Sequence, residues 1–301
     1  MADHWFVTGS DGQLGSALME RLAARSAPVS GCGRDALDVA DPGAVEARLA
    51  TLPRPLVWLN AAAFTRVDCC ERKPEKAWRE NADAPAVLAR ACADAGVRLV
   101  HVSTDYVFPG DAERPYREDD PTGPRCEYGR TKLAGERAVL EASSDFLVVR
   151  TSWLFGRGRN FIASVLGQAA LRRAGRETGP LRVVDDQRGR PTYAVDLAEG
   201  LVALAECGAR GIVHCANDGV ASWWELARFA LDRAGYDDVA IDRIGTSELR
   251  TDAVRPAWSV LDLGRAASFG VSPRPWREAV TAYLESEHSP LAAGKEDQPH
   301  A

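Results

Sequence analysis

The chain has 301 residues, 46% hydrophobic and 27% charged, with a formal net charge of −6. This composition excludes a disordered or low-complexity chain, and the mild acidity excludes a general binder of nucleic-acid backbones. No apolar run approaches the roughly 18 residues of a membrane helix, and Met1-Ala2-Asp3-His4-Trp5 has no basic n-region, so neither a membrane span nor a signal peptide is expected.

His4–Thr8 reads as a strand and Gly12–Arg25 as a helix. Pro28–Cys32 is a weaker strand, and Pro42–Leu52 a helix with Asp41 as its N-cap. Leu56–Asn60 is a buried strand, Glu75–Ala95 a long Ala-rich helix, and Val97–Ser103 a further strand. Asp111–Pro124, with three prolines and many charges, reads as a surface loop near a site. Tyr128–Ala142 has helical spacing and Phe146–Arg150 is again a strand. Beyond Thr151 come a helix (Phe161–Ala174), a short strand (Leu181–Val184), a helix (Ala194–Cys207) and a strand (Gly211–Cys215). A helix at Ser222–Ala234 carries a capping box of Ser222 and Glu225. Val271–Leu284 ends the ordered chain. There are no internal repeats.

The alternation of apolar strands with helices predicts an α/β fold, a doubly wound parallel sheet of the Rossmann type with helices on both faces. Residues 1–152 are expected to form a dinucleotide-binding domain, with 190–215 returning to it. Residues 153–285 should form mainly a smaller, partly discontinuous substrate domain, and 286–301 a disordered tail. The seven cysteines are odd in number, have no C-x-x-C and fit no zinc spacing, so buried free thiols in a cytoplasmic protein are expected, with no metal site.

Thr8-Gly9-Ser10-Asp11-Gly12-Gln13-Leu14-Gly15 follows a strand and opens a helix. Its glycines allow a tight turn and close approach of a pyrophosphate to free N–H groups at the helix start. Tyr128 and Lys132 stand four apart on one helix face, where an ammonium lowers the phenol pKa and the pair can pass a proton to a substrate oxygen. Lysine is scarce: of 37 basic residues only Lys73, Lys76, Lys132 and Lys295 are not Arg. That scarcity draws attention to Lys132, since Arg cannot supply a compact, titratable ammonium. Ser103-Thr104-Asp105-Tyr106 ends a strand, where ligands of open α/β sheets sit and a hydroxyl can hold a reacting carbonyl. His101 and His214 lie in strands, and Trp223, Trp224 and Trp276 at helix starts; these read as packing residues.

The turn has the T-G-x-x-G-x-x-G spacing and resembles the extended short-chain dehydrogenase/reductases. Asn60-Ala61-Ala62-Ala63-Phe64-Thr65-Arg66-Val67-Asp68, Ser103-Thr104-Asp105-Tyr106-Val107-Phe108, Tyr128-Gly129-Arg130-Thr131-Lys132 and Arg150-Thr151-Ser152-Trp153-Leu154-Phe155-Gly156 narrow the match. So do Asp186-Gln187-Arg188-Gly189-Arg190-Pro191-Thr192 and Arg255-Pro256. With these, nearly the whole chain resembles the dTDP-4-dehydrorhamnose reductase family.

The resemblance implies reduction of the C4 ketone of a dTDP-4-keto-6-deoxy-L-hexose by NADPH or NADH. It implies that Tyr128 donates the proton, Lys132 supports it and holds the ribose, and Thr104 orients the ketone. Asp105, Tyr106 and Trp153 would line the sugar pocket, and Arg255 would meet a nucleotide phosphate. Gly9, Gly12, Gln13, Leu14 and Gly15 would form the pyrophosphate turn. Asp38 and Val39 would lie by the adenine, and Ala62, Ala63, Phe64 and Ser103 along the cofactor. Arg34 would meet a 2′-phosphate, or stand as a solvated surface residue. Pro109, Trp258 and Cys69-Cys70 depart from the family pattern in loops that shape the sugar pocket. Two alternatives stay open: an NDP-sugar epimerase with tightly held NAD, and a non-catalytic NAD(P)-binding regulatory subunit. A homodimer is compatible with the resemblance.

Overall fold

The computed structural model of the chain describes residues 4–292. Six parallel strands form its central sheet: β1 (His4–Thr8), β2 (Val29–Cys32), β3 (Leu56–Asn60), β4 (Arg98–Thr104), β5 (Leu147–Thr151) and β6 (Gly211–His214). Their order is β2-β1-β3-β4-β5-β6. Strands β2 and β3 flank β1 on opposite sides, so the winding reverses there and a crevice opens at the carboxyl ends of β1 and β3.

The pleat sorts the strand residues into two cores. Val7, Leu59, Val100 and Val149 face one way, against Leu14, Leu18 and Leu22 of α1 (Gln13–Ala24). Phe6, Trp58, Leu99 and Val148 face the other way, against α2 (Pro42–Thr51). Asp41 caps α2 as expected, accepting from Gly43 N at 2.9 Å.

The expected single helix over 75–95 is interrupted. Beyond a short helix α3 (Val67–Arg72), which the sequence reading missed, α4 (Pro74–Trp78) runs into a π turn at Arg79–Asp83 and then into α5 (Ala84–Asp94). Pro85 explains the break, because it has no N–H to return to the carbonyl of Asn81 and its ring crowds that oxygen. The freed carbonyl tips toward α6 (Glu127–Ala142), where a Cβ on Gly135 would lie 2.2 Å from it. The Asn81 side chain meanwhile accepts from Phe64 N at 2.8 Å and donates to Thr131 Oγ1 at 3.2 Å, tying the loop after β3 to α6.

A second cluster holds α7 (Phe161–Arg173) and, after α8 (Ala194–Glu206) of the sheet, α9 (Trp223–Arg233). The expected capping box of α9 is present, with Glu225 N donating to Ser222 Oγ at 3.0 Å. After α10 (Gly264–Ser268), α11 (Trp276–Glu285) closes the cluster. A parallel pair, Leu181–Val184 with Ile241–Ile244, edges it; the second of these strands was not foreseen.

In place of the expected disorder from 286, residues 286–292 form turns, with Ser289 buried and Leu291 against the second cluster. The rest of that tail, 293–301, lies outside the described residues. The expected surface loop 111–124 is also partly anchored, because Tyr116 is buried and stacks on Phe108 at 4.3 Å. All seven cysteines are unpaired; Cys207 is exposed and Cys69 half-buried. No helix among the described residues is long and apolar enough to cross a membrane.

Candidate active site

The glycine turn after β1 is shaped by contacts that exclude a side chain. Gly9 has φ +75°, a left-handed conformation, and a Cβ there would lie 2.9 Å from Ala62 N. A Cβ on Gly15 would lie 1.9 Å from Gly9 O, so α1 rests directly on the turn. Gly12 caps α1 without a side-chain bond, leaving first-turn N–H groups directed at the crevice. A cavity of about 490 Å³ opens there, lined in part by Gly9, Gly12, Arg34, Asp38, Val39, Ala62 and Ala63.

The other proposed cofactor residues lie around this cavity rather than in its wall. Leu14 is in the core under the turn, and Gln13 Nε2 donates to Arg157 O at 3.3 Å. Phe64 packs with Cys70, Cys126 and Tyr128, and the buried Ser103 hydroxyl has no partner. Two residues the sequence reading missed, Arg79 and Glu80, come from the π turn. Glu80 accepts from Arg34 at 2.6 Å, and the Arg79 guanidinium on Asp38 holds that carboxyl below its ordinary range. They sit on the π turn itself, which no periodicity signals.

Beside the cavity, Thr104 ends β4 and caps the 3₁₀ turn Asp105–Val107. Its hydroxyl donates to Asp105 Oδ1 at 2.9 Å and accepts from Tyr106 N at 3.3 Å. Helix α6 presses onto this turn at Gly129, where a Cβ would lie 2.2 Å from Tyr106 O. That contact brings Tyr128 edge-on to Tyr106, ring centres 5.5 Å apart, with the Thr104 hydroxyl against the phenol. One turn on, the buried Lys132 ammonium donates to Val102 O at 2.7 Å and stands 3.4 Å from His101 Nε2.

Burial dominates the electrostatics. It pulls Lys132 down to about 8, against the opposing charge of Glu136, and pushes Asp105 up to about 6. The expectation that Lys132 lowers the Tyr128 phenol is corrected: desolvation raises it, and the ring stays a protonated acid at neutral pH.

Arg255 reaches the same place. It donates to Tyr106 OH at 3.2 Å and to Asp68 Oδ2 at 2.6 Å, so part of its hydrogen-bonding capacity is already engaged. Trp153 stands two residues beyond Thr151, the register partner of Thr104. It has φ +46° and stacks on Trp223 with centres 3.7 Å apart. A Cβ on Gly189 would lie 2.4 Å from its ring. Trp223 therefore buttresses a candidate pocket residue, beyond the plain packing role expected of it.

The family model described as RmlD substrate binding domain matches residues 4–289. The chain belongs to the dTDP-4-dehydrorhamnose reductase family. It is 43% identical to a dTDP-4-dehydrorhamnose reductase of Streptomyces griseus, over 98% of this chain and 96% of that one. It is 42% identical to a probable dTDP-4,6-dihydroxy-2-methyloxan-3-one 4-ketoreductase of Streptomyces antibioticus, over 96% and 99%. A solved dTDP-4-dehydrorhamnose reductase of Bacillus anthracis, in complex with NADP, superposes with a TM-score of 0.87 at 32% identity, covering 94% of this chain and 99% of that one. The family's members are oxidoreductases, and the parallel-sheet fold is theirs.

Proposed function

We propose that the protein is a cytoplasmic NADPH- or NADH-dependent reductase of the C4 ketone of a dTDP-4-keto-6-deoxy-L-hexose, with Tyr128 as proton donor. The carrying observation is the convergence of Thr104, Tyr128 and Lys132 at the carboxyl end of β4, on the same edge of the sheet as the glycine turn. The turn suits a dinucleotide: side chains at Gly9 or Gly15 would destroy it, and the partnerless Ser103 hydroxyl is a buried polar atom awaiting a ligand. Bound there, the nicotinamide cofactor supplies a hydride to the ketone carbon.

The chain's own residues do the rest. First-turn N–H groups of α1 hold the pyrophosphate. Thr104 orients the ketone oxygen, and Tyr128, kept protonated by burial, gives its proton to that oxygen as negative charge develops. Lys132 holds ribose hydroxyls and stabilises the phenolate left behind. Asp105, Tyr106, Trp153 and Arg255 bound the sugar-nucleotide side, and Arg34 meets a 2′-phosphate once released from Glu80. Residues 1–152 with 190–215 serve the dinucleotide, and most of 153–285 the sugar nucleotide.

The test is NADPH and NADH oxidation by the purified chain with dTDP-4-dehydrorhamnose and related dTDP-4-ketohexoses. Stoichiometric oxidation of added cofactor supports the reading. Sugar isomerisation without added cofactor, or no turnover of any dTDP-4-ketohexose, overturns it.

A further inference from the structure

A line of buried hydrogen bonds runs from the floor of the sheet to Lys132, and its donors and acceptors leave one consistent assignment. Trp58 Nε1 can only donate, and it stands 3.2 Å from Thr8 Oγ1. The Thr8 hydroxyl hydrogen then goes to Asn60 Oδ1 at 2.8 Å, well inside the other acceptor in reach, Leu59 O at 3.5 Å. Ala62 N, also only a donor, reaches the same oxygen at 3.2 Å. Two donors fix which end of the Asn60 amide is oxygen. Its NH₂ end therefore faces His101 Nδ1, 3.0 Å away, and that nitrogen must accept. Burial and the neighbouring Lys132 hold the imidazole neutral, so its one proton is on Nε2. Nε2 is the atom 3.4 Å from Lys132 Nζ.

An ammonium has no lone pair, so the two N–H groups oppose each other. The inner wall then offers the ammonium one acceptor, Val102 O, and its other hydrogens are left for the crevice. We propose that His101 is a positioning residue: locked by Asn60 as the Nε2–H tautomer, it denies Lys132 an inner partner and turns the ammonium toward the bound cofactor. The cofactor part of this proposal rests on the functional reading above.

The groups that could blur the effect are few. Lys132 feels Glu136 on its own helix, and Glu136 is held by Arg150 of β5 through bonds of 2.9 and 2.8 Å. His101 faces Lys132 from α6 and the uncharged Asn60 from β3.

Asn60→Asp separates this from a merely structural role. A carboxylate still accepts from Thr8 and Ala62, but it demands a donor from His101 Nδ1. That moves the proton and exposes the Nε2 lone pair to the ammonium. ¹⁵N NMR of the full chain labelled at its histidines, with the His101 signals assigned by their loss in His101→Gln, should show a neutral Nε2–H ring in the native protein and an Nδ1–H ring in Asn60→Asp. NADPH titration of the same samples should show roughly tenfold weaker binding in Asn60→Asp, as expected when a charge-assisted bond captures Lys132. If Asn60→Asp fails to fold, the tautomer of the native His101 ring carries the test.

An Nδ1–H ring in the native protein overturns the proposal. So does a tautomer switch without loss of NADPH affinity. None of these readouts needs a sugar substrate, so failure of the proposed reaction would be seen separately.

Discussion

Lys132→Arg keeps the formal charge and changes only its geometry and its capacity to titrate. Lys132 is 2% exposed, and its nitrogen meets Val102 O at 2.7 Å and the His101 ring at 3.4 Å. A guanidinium brings five donors in a rigid fork and cannot discharge itself, whereas burial brings Lys132 down to about 8. Two donors stranded in that wall would cost about 1–3 kcal/mol each. The longer side chain escapes this by swinging into the crevice, away from Tyr128. Turnover should fall by roughly 10²–10⁴-fold, the usual worth of a disrupted acid–base pair. The assay is NADPH oxidation with dTDP-4-dehydrorhamnose, with a thermal melt on the same sample. Near-native turnover with an unchanged melt would refute the reasoning.

Gly15→Ala puts a Cβ 1.9 Å from Gly9 O, so α1 must move off its turn; a fluorescence titration should show NADPH binding lost, and native affinity would contradict the close packing. Arg34→Ala should raise KM for NADPH and leave KM for NADH nearly unchanged, because the exposed guanidinium, paired with Glu80, can exchange that carboxylate for a 2′-phosphate. Asp105, raised from 3.8 to about 6, binds its proton more tightly folded than unfolded. Its contribution to stability is therefore present below about pH 4 and is lost as pH rises through about 6, up to about 3 kcal/mol. Urea melts of Asp105→Asn across that window should lack this fall relative to the native chain, and parallel curves would count against a raised Asp105.

The strands of the sheet were legible because each is a short apolar run bounded by turn residues; Leu56–Asn60 falls where expected, and Gly211–His214 ends one residue before the expected Cys215. Caps were legible for the same local reason, as Asp41 and Ser222 show. The π turn was not. Pro85 sits in an Ala-rich helical pattern, and its consequence depends on Gly135 of another helix accepting the displaced carbonyl. Arg79 and Glu80 were therefore missed as lining residues of the nucleotide cavity. Tyr128 and Lys132 could be paired from their spacing, but the sign of the phenol's shift could not, because burial is a property of the packed site. His101 looked like a sheet residue because its meaning lies in partners from β1, β3 and α6.

Tyr128→Phe tests the central claim most directly, since it removes one buried hydroxyl and leaves the ring against Tyr106. With dTDP-4-dehydrorhamnose and saturating NADPH, turnover should fall at least about 100-fold while NADPH affinity holds. Native turnover in that variant would contradict Tyr128 as the proton donor.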